Sequence, residues 1–214
     1  LSTGIGSMLG LYSKFENKRL LSLALGFSAG VMIYVSFMEL LVISFDSLGT
    51  IYTPTYGQLI GVTAFIIGLL MMLFIDQLFH QHSIADFISR SSNKDETLLV
   101  RTGLFSAIAL AIHNIPEGFA TFAATYQDPL VGTTLAIAIA IHNIPEGLAV
   151  SVPIYYATKN KSKAFWISFA SGLAEPLGAV IGFLIFRTVY NEALFGISFA
   201  LCAGIMIYVS LNEL

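Results

Sequence analysis

Apolar residues run in seven long stretches, at about 1–12, 20–44, 57–80, 98–125, 131–157, 164–187 and 194–214, separated by short polar segments. All but the first reach the roughly 20 residues that a helix needs to cross a bilayer. Lipid offers no partner to a backbone amide, so such runs are predicted to be helices that satisfy their own hydrogen bonds. The pattern predicts an all-α integral membrane protein, a single polytopic domain over 1–214 with seven transmembrane helices and a cytoplasmic loop at about 81–97.

Polar positions inside the stretches repeat. The string GFSAGVMIYVSFMEL at 26–40 matches ALCAGIMIYVSLNEL at 200–214 in nine of fifteen positions, among them Met32/Met206, Ser36/Ser210 and Glu39/Glu213. A second pair is AIHNIPEGFA at 111–120 and AIHNIPEGLA at 140–149. Each pair sits an odd number of spans apart, so its copies run in opposite directions through the membrane. Inverted repeats are a transporter signature, with the substrate site near the midplane where the repeats meet. Residues 1–40 match 175–214 in register, with Gly4 on Gly178. The first copy continues into a third span, at about 57–80. The expectation is therefore an inverted 3+2+3 repeat of eight spans, with about ten residues before Leu1 and an eighth span after Leu214.

Composition agrees with a membrane chain. Of 214 residues 56% are hydrophobic and 11% charged, against about 25% charged in a soluble domain, and mean hydropathy is +0.81. This excludes a soluble globular enzyme, a disordered tail and a nucleic-acid binder, which needs a basic face. The single cysteine, Cys202, allows neither an intrachain disulfide nor a cysteine-cluster metal site. The ten Lys and Arg decide orientation. Lys14, Lys18, Arg19, Arg90, Lys94, Arg101, Lys159, Lys161 and Lys163 fall on one side of seven alternating spans, and only Arg187 on the other. The positive-inside rule places those nine in the cytoplasm and the N-terminus outside.

The doubled HNIPEG carries the chemistry. His113 and Glu117 are four apart and Asn114 and Glu117 three apart, so each pair shares a helix face. Glu117 therefore lies between a His strip and an Asn strip and can serve one ion with each. His142, Asn143 and Glu146 repeat the arrangement. Imidazole with carboxylate suits borderline first-row metals such as zinc and iron. Pro116 and Pro145 lack an N–H and free the carbonyls of Ile112 and Ile141, which can line a cavity. A midspan carboxylate costs on the order of 2.5–3.5 kcal/mol on insertion scales. Glutamate is therefore a poor choice if these side chains only glue helices together. Glu175, followed by Pro176, is a third midspan acid, read as a further ligand or as a hydrogen-bonding group between helices. Met32 is a thioether ligand or a packing residue, on one face with Ser36 and Glu39. Glu39 and Glu213 line a vestibule or cap a helix interface. His80 and His82, with Asp76 and Asp86 nearby, form a loose His/Asp cluster or a solvated loop.

These motifs resemble the ZIP (Zrt/Irt-like protein) divalent-metal transporters, most of all their bacterial ZupT-like branch. The resemblance rests on the paired HNIPEG helices, the AGxM span and SGLAEPLGA at 171–179, and covers essentially the whole chain. It implies eight helices with both termini outside. It also implies import of zinc and related ions (iron, manganese, cobalt, cadmium) into the cytoplasm across a bacterial inner membrane. The metals are cargo, and no prosthetic group is expected. By motif match, a first ion falls to His113, Glu117, His142 and Glu146 with Met32. A second falls to Asn114, Glu117, Asn143, Glu146 and Glu175. Some relatives have Gln in place of His142 or Asp in place of Asn143; the neutral Asn here lowers the charge of the second position. Homodimers and an elevator-like or rocking movement are further implications. The competing class is an integral-membrane di-metal enzyme. Di-iron bundles use Glu-x-x-His, the reverse of the order here, and no His-Glu-x-x-His string occurs.

Overall fold

The computed structural model describes residues 1–12, 18–88, 94–189 and 191–213, and these are almost wholly helical. The helices are α1 (Ser2–Tyr12), α2 (Lys18–Val35), a π-helical turn (Ser36–Leu40), α3 (Leu41–Ile51), α4 (Pro54–Ile88), α5 (Lys94–Gln127), α6 (Pro129–Thr158), α7 (Lys161–Gly172), α8 (Ala174–Thr188) and α9 (Glu192–Glu213). The π turn joins α2 to α3 without a break, and α8 follows α7 after Leu173, so these helices form seven rods.

Five of the rods have the length and apolar character to cross a membrane: Ser22–Ile51, Pro54–Leu78, Pro129–Thr158, Lys161–Thr188 and Glu192–Leu211. Of the other two, α1 has 11 residues, and α5 is long but begins with Lys94, Asp95 and Glu96. The second rod runs to Ile51 rather than 44. Most of the expected loop at 81–97 is helix, since α4 continues to Ile88 and α5 begins at Lys94. Polarity there marks where the chain leaves an apolar environment; it does not oblige the helix to stop.

Local chemistry sets the sharp turns. Asp128 is extended and accepts from the N–H groups of Leu130 and Val131 at 2.8 and 3.4 Å, with Pro129 at the first helical position of α6. This is the N-cap arrangement that satisfies orphan amides. Lys159 ends α6 at φ 51°, and Asn160 caps α7 by accepting from the Lys163 N–H at 3.0 Å. Helix α5 therefore turns directly back into α6.

Packing then centres the two HNIPEG segments. Helix α5 lies against α6, α8 and α9, while α6 also receives α1 and α2. On the far side α4 packs against α3 and α9. Glycine makes the contacts of the HNIPEG helices possible. A Cβ on Gly118 would strike the Glu175 carbonyl, and one on Gly178 the Ile115 carbonyl. Likewise a Cβ on Gly147 would strike the Thr3 carbonyl, and one on Gly6 that of Ile144. The last residue of each HNIPEG string is thus the point where α8 or α1 meets its backbone, as in small-residue helix packing within membranes.

Candidate metal centre

The doubled motif places two His, two Asn and two Glu within the protein. His113, Asn114, Glu117, His142, Asn143 and Glu146 are each at most 3% exposed. The sequence pairs each His with the Glu of its own helix. The hydrogen bonds cross instead: His113 Nε2 lies 3.2 Å from Glu146 Oε1, and His142 Nε2 lies 3.1 Å from Glu117 Oε1. His142 Nε2 is also 3.8 Å from Glu146 Oε1. Ligand atoms of His113, Glu117 and Glu146 all fall within 4.8 Å of one another, close enough to hold one metal ion.

The neighbouring helices orient these groups. The His142 Nδ1 atom is 3.2 Å from the Ala138 carbonyl, which leaves Nε2 directed at the acids. The Ser28 hydroxyl of α2 donates to the His142 carbonyl at 3.2 Å. Around Gly147 on α6, Ser7 of α1 and Ser168 of α7 both donate to its carbonyl, at 3.3 and 3.2 Å.

The asparagines split their amides. Asn114 Nδ2 donates to the Ser171 carbonyl at 3.2 Å and Asn143 Nδ2 donates to Glu175 Oε2 at 3.1 Å. Their Oδ1 atoms have no donor, and neither have Glu117 Oε2 and Glu146 Oε2. Four buried acceptors on the two HNIPEG helices are therefore without a hydrogen-bond donor. Buried polar groups are normally paired, and carboxylate and amide oxygens are ligand atoms that divalent cations accept.

Glu175 is half-buried in the first turn of α8, just past the break at Leu173. It reaches the cluster through Asn143. Met32 is fully buried and packs with Leu135, Ile139 and Met206. Met32 and Ser36 stay on one buried face, but the π turn shifts the register beyond them. Glu39, within the π turn, is half-buried and lines a cavity with Val31, Val35 and Leu135. Ser36 and Ser210, matched in the sequence repeat, donate alike to the carbonyls of Met32 and Met206 at 2.8 and 2.6 Å. Asp76, grouped by sequence with the His80/His82 cluster, lies inside α4 and accepts from the Tyr208 hydroxyl at 2.8 Å. The side chains of His80, His82, Asp86 and Glu213 lie outside the described residues. Ser28 and Tyr208 escaped the sequence reading because a serine or tyrosine in an apolar run carries no spacing signal of its own.

Residues 85–214 match the ZIP Zinc transporter family. The chain is 50% identical over 220 residues to a protein named zinc transporter ZupT from Chlorobaculum parvum, and 49% identical over 220 residues to one of that name from Streptococcus mutans. A third, from Oceanobacillus iheyensis, is 48% identical over 221 residues. Each alignment covers 100% of this chain and 82% of the relative.

Proposed function

This chain belongs to the ZIP zinc transporter family, and from that premise we propose that it imports divalent transition-metal ions into the cytoplasm through a two-ion site on its HNIPEG helices. Zinc is the first candidate cargo, with iron, manganese, cobalt and cadmium as further candidates of similar ligand chemistry. The family is one of transporters rather than enzymes, which removes the di-metal enzyme from consideration.

The observation that carries the proposal is the set of four donor-less acceptors, Asn114 Oδ1, Asn143 Oδ1, Glu117 Oε2 and Glu146 Oε2, beside two buried histidines. In the proposed site one ion takes His113, His142, Glu117 and Glu146, with the Met32 thioether at its edge. The second takes Asn114, Asn143 and Glu175, with Glu117 and Glu146 shared between both. Two buried carboxylates are costly unless paired, and divalent ions in transit supply the counter-charge. The neutral Asn oxygens and the half-buried Glu175 make the second position weaker, which suits an ion that must leave again.

The proposed setting is a cell membrane of bacterial inner-membrane type. The basic residues in and near the α1–α2, α4–α5 and α6–α7 connections face the cytoplasm by the positive-inside rule. Residues 1–214 would form one transport domain within a 3+2+3 architecture of eight spans, working as a homodimer. The deciding experiment is metal-by-metal uptake by the purified full-length protein in liposomes, with and without a proton gradient. Zn2+ accumulation above that of protein-free vesicles is expected. Binding of Zn2+ with no accumulation under any gradient would overturn the transport reading.

A further inference from the structure

A cavity of about 270 Å3 adjoins the metal centre. Its walls come from α2, α4, α5, α6 and α9, with Leu25, Asp76 and Tyr208 among them. Four of its eleven lining residues are polar: His113 and Glu146, which belong to the metal centre, and Asp76 and Tyr208, which do not. The remaining walls are Leu, Met, Ala and Val. Tyr208 Oη donates to Asp76 Oδ2 at 2.8 Å, across α9 and α4.

We infer that Tyr208 is a positioning residue for ion passage, its phenol holding the Asp76 carboxylate on the wall of the cavity that leads away from His113 and Glu146. The inference rests on the proposed transport reading. A cation leaving an imidazole and a carboxylate gives up charged ligands, and apolar walls offer it none. Asp76 is the acid on those walls outside the metal centre. Its side chain is half-buried, and a carboxylate in such a place is stabilised by charge-assisted donors. The phenol supplies one such donor on a stiff aromatic stem and holds Asp76 Oδ2. Tyr34, which matches Tyr208 in the sequence repeat, is 59% exposed and does not line this cavity. The role therefore belongs to one copy and does not come with the repeated IYVS string.

The test compares the full-length wild type, Tyr208→Phe, Asp76→Asn and the double variant in liposomes, with Zn2+ as probe and a zinc-sensitive dye inside. Tyr208→Phe should lower the maximal uptake rate about tenfold, the scale of one hydrogen bond to a charged group. Half-saturating Zn2+ should stay within about twofold, because binding at the HNIPEG helices is untouched. In the Asp76→Asn background the same change should add less than about twofold, since its partner is already altered. A wild-type rate in Tyr208→Phe, or an equal loss in both backgrounds, overturns the inference. So does a loss of Zn2+ binding together with rate, which would make the phenol merely structural. Should Tyr208→Phe fold poorly, Asp76→Asn alone decides, because a wild-type rate there refutes the role of the pair. Absence of uptake in the wild type would instead sink the transport reading itself.

Discussion

Glu117→Gln isolates what a buried charge does in this protein. Glu117 is fully buried, with Oε1 3.1 Å from His142 Nε2 and Oε2 without a donor. Glutamine keeps the shape and removes the charge. Two effects of opposite sign follow. Without an ion, the substitution relieves the desolvation of a carboxylate, a penalty on the order of several kcal/mol for a buried charge. The melting temperature should therefore hold or rise. With an ion, the substitution leaves the cation under-compensated in a low dielectric, which costs roughly 3–5 kcal/mol when one partner of a buried pair is lost. At about 1.4 kcal/mol per decade in Kd, the affinity falls by between two and four orders of magnitude. Zn2+ uptake should be lost, and calorimetric titration should show the weakened binding. Glu117→Asp keeps the charge but shortens the reach by a methylene, and should fall between wild type and Gln. The reasoning fails if Glu117→Gln transports Zn2+ at the wild-type rate with Kd within about threefold. It also fails if uptake is lost only because the protein melts far below the wild type, which would make Glu117 a structural group.

Three further outcomes are expected. Glu175→Gln should weaken one ion more than the other in a calorimetric titration, because Glu175 meets Asn143 and not the histidines; equal loss at both would dissolve the two-site assignment. Gly118→Ala puts a Cβ against the Glu175 carbonyl, whereas Gly49→Ala meets only ordinary contact, Pro54 Cα at 3.7 Å. The former should cost about 1–3 kcal/mol of stability, as overpacking does, and the latter little, so equal melting temperatures would refute the backbone-contact reading of the motif's final glycine. With Cys202 replaced, a cysteine at the exposed Ser162 should react with impermeant thiol reagents only from the cytoplasmic side and one at the exposed Gln127 only from outside, the cap residues Asp128 and Asn160 being left intact. Reversed labelling would overturn the orientation.

The apolar runs and the doubled motif were legible in the chain alone, although helix ends such as Ile51 and Ile88 were not. Lipid leaves an apolar run of about 20 residues little choice but a helix, and periodicity alone puts His113, Asn114 and Glu117 within one helical turn. The same holds for His142, Asn143 and Glu146. The doubled string and the matching 26–40 and 200–214 segments were legible because polar identities in an apolar background stand out. Pairing between helices was not legible, since periodicity describes one helix at a time. Only the tertiary structure crosses each histidine to the other helix's glutamate, at 3.2 and 3.1 Å. Only it commits each asparagine's NH2 to Ser171 or Glu175 and leaves the amide oxygen buried without a donor. It also decides that Gly118 and Gly147 are contact points for α8 and α1, because a missing Cβ has meaning only beside the backbone that fills its place. Asp76 shows the limit most plainly. In the sequence it borders a polar, histidine-bearing stretch, whereas in the fold α4 carries it into a cavity wall opposite Tyr208, 132 residues away along the chain.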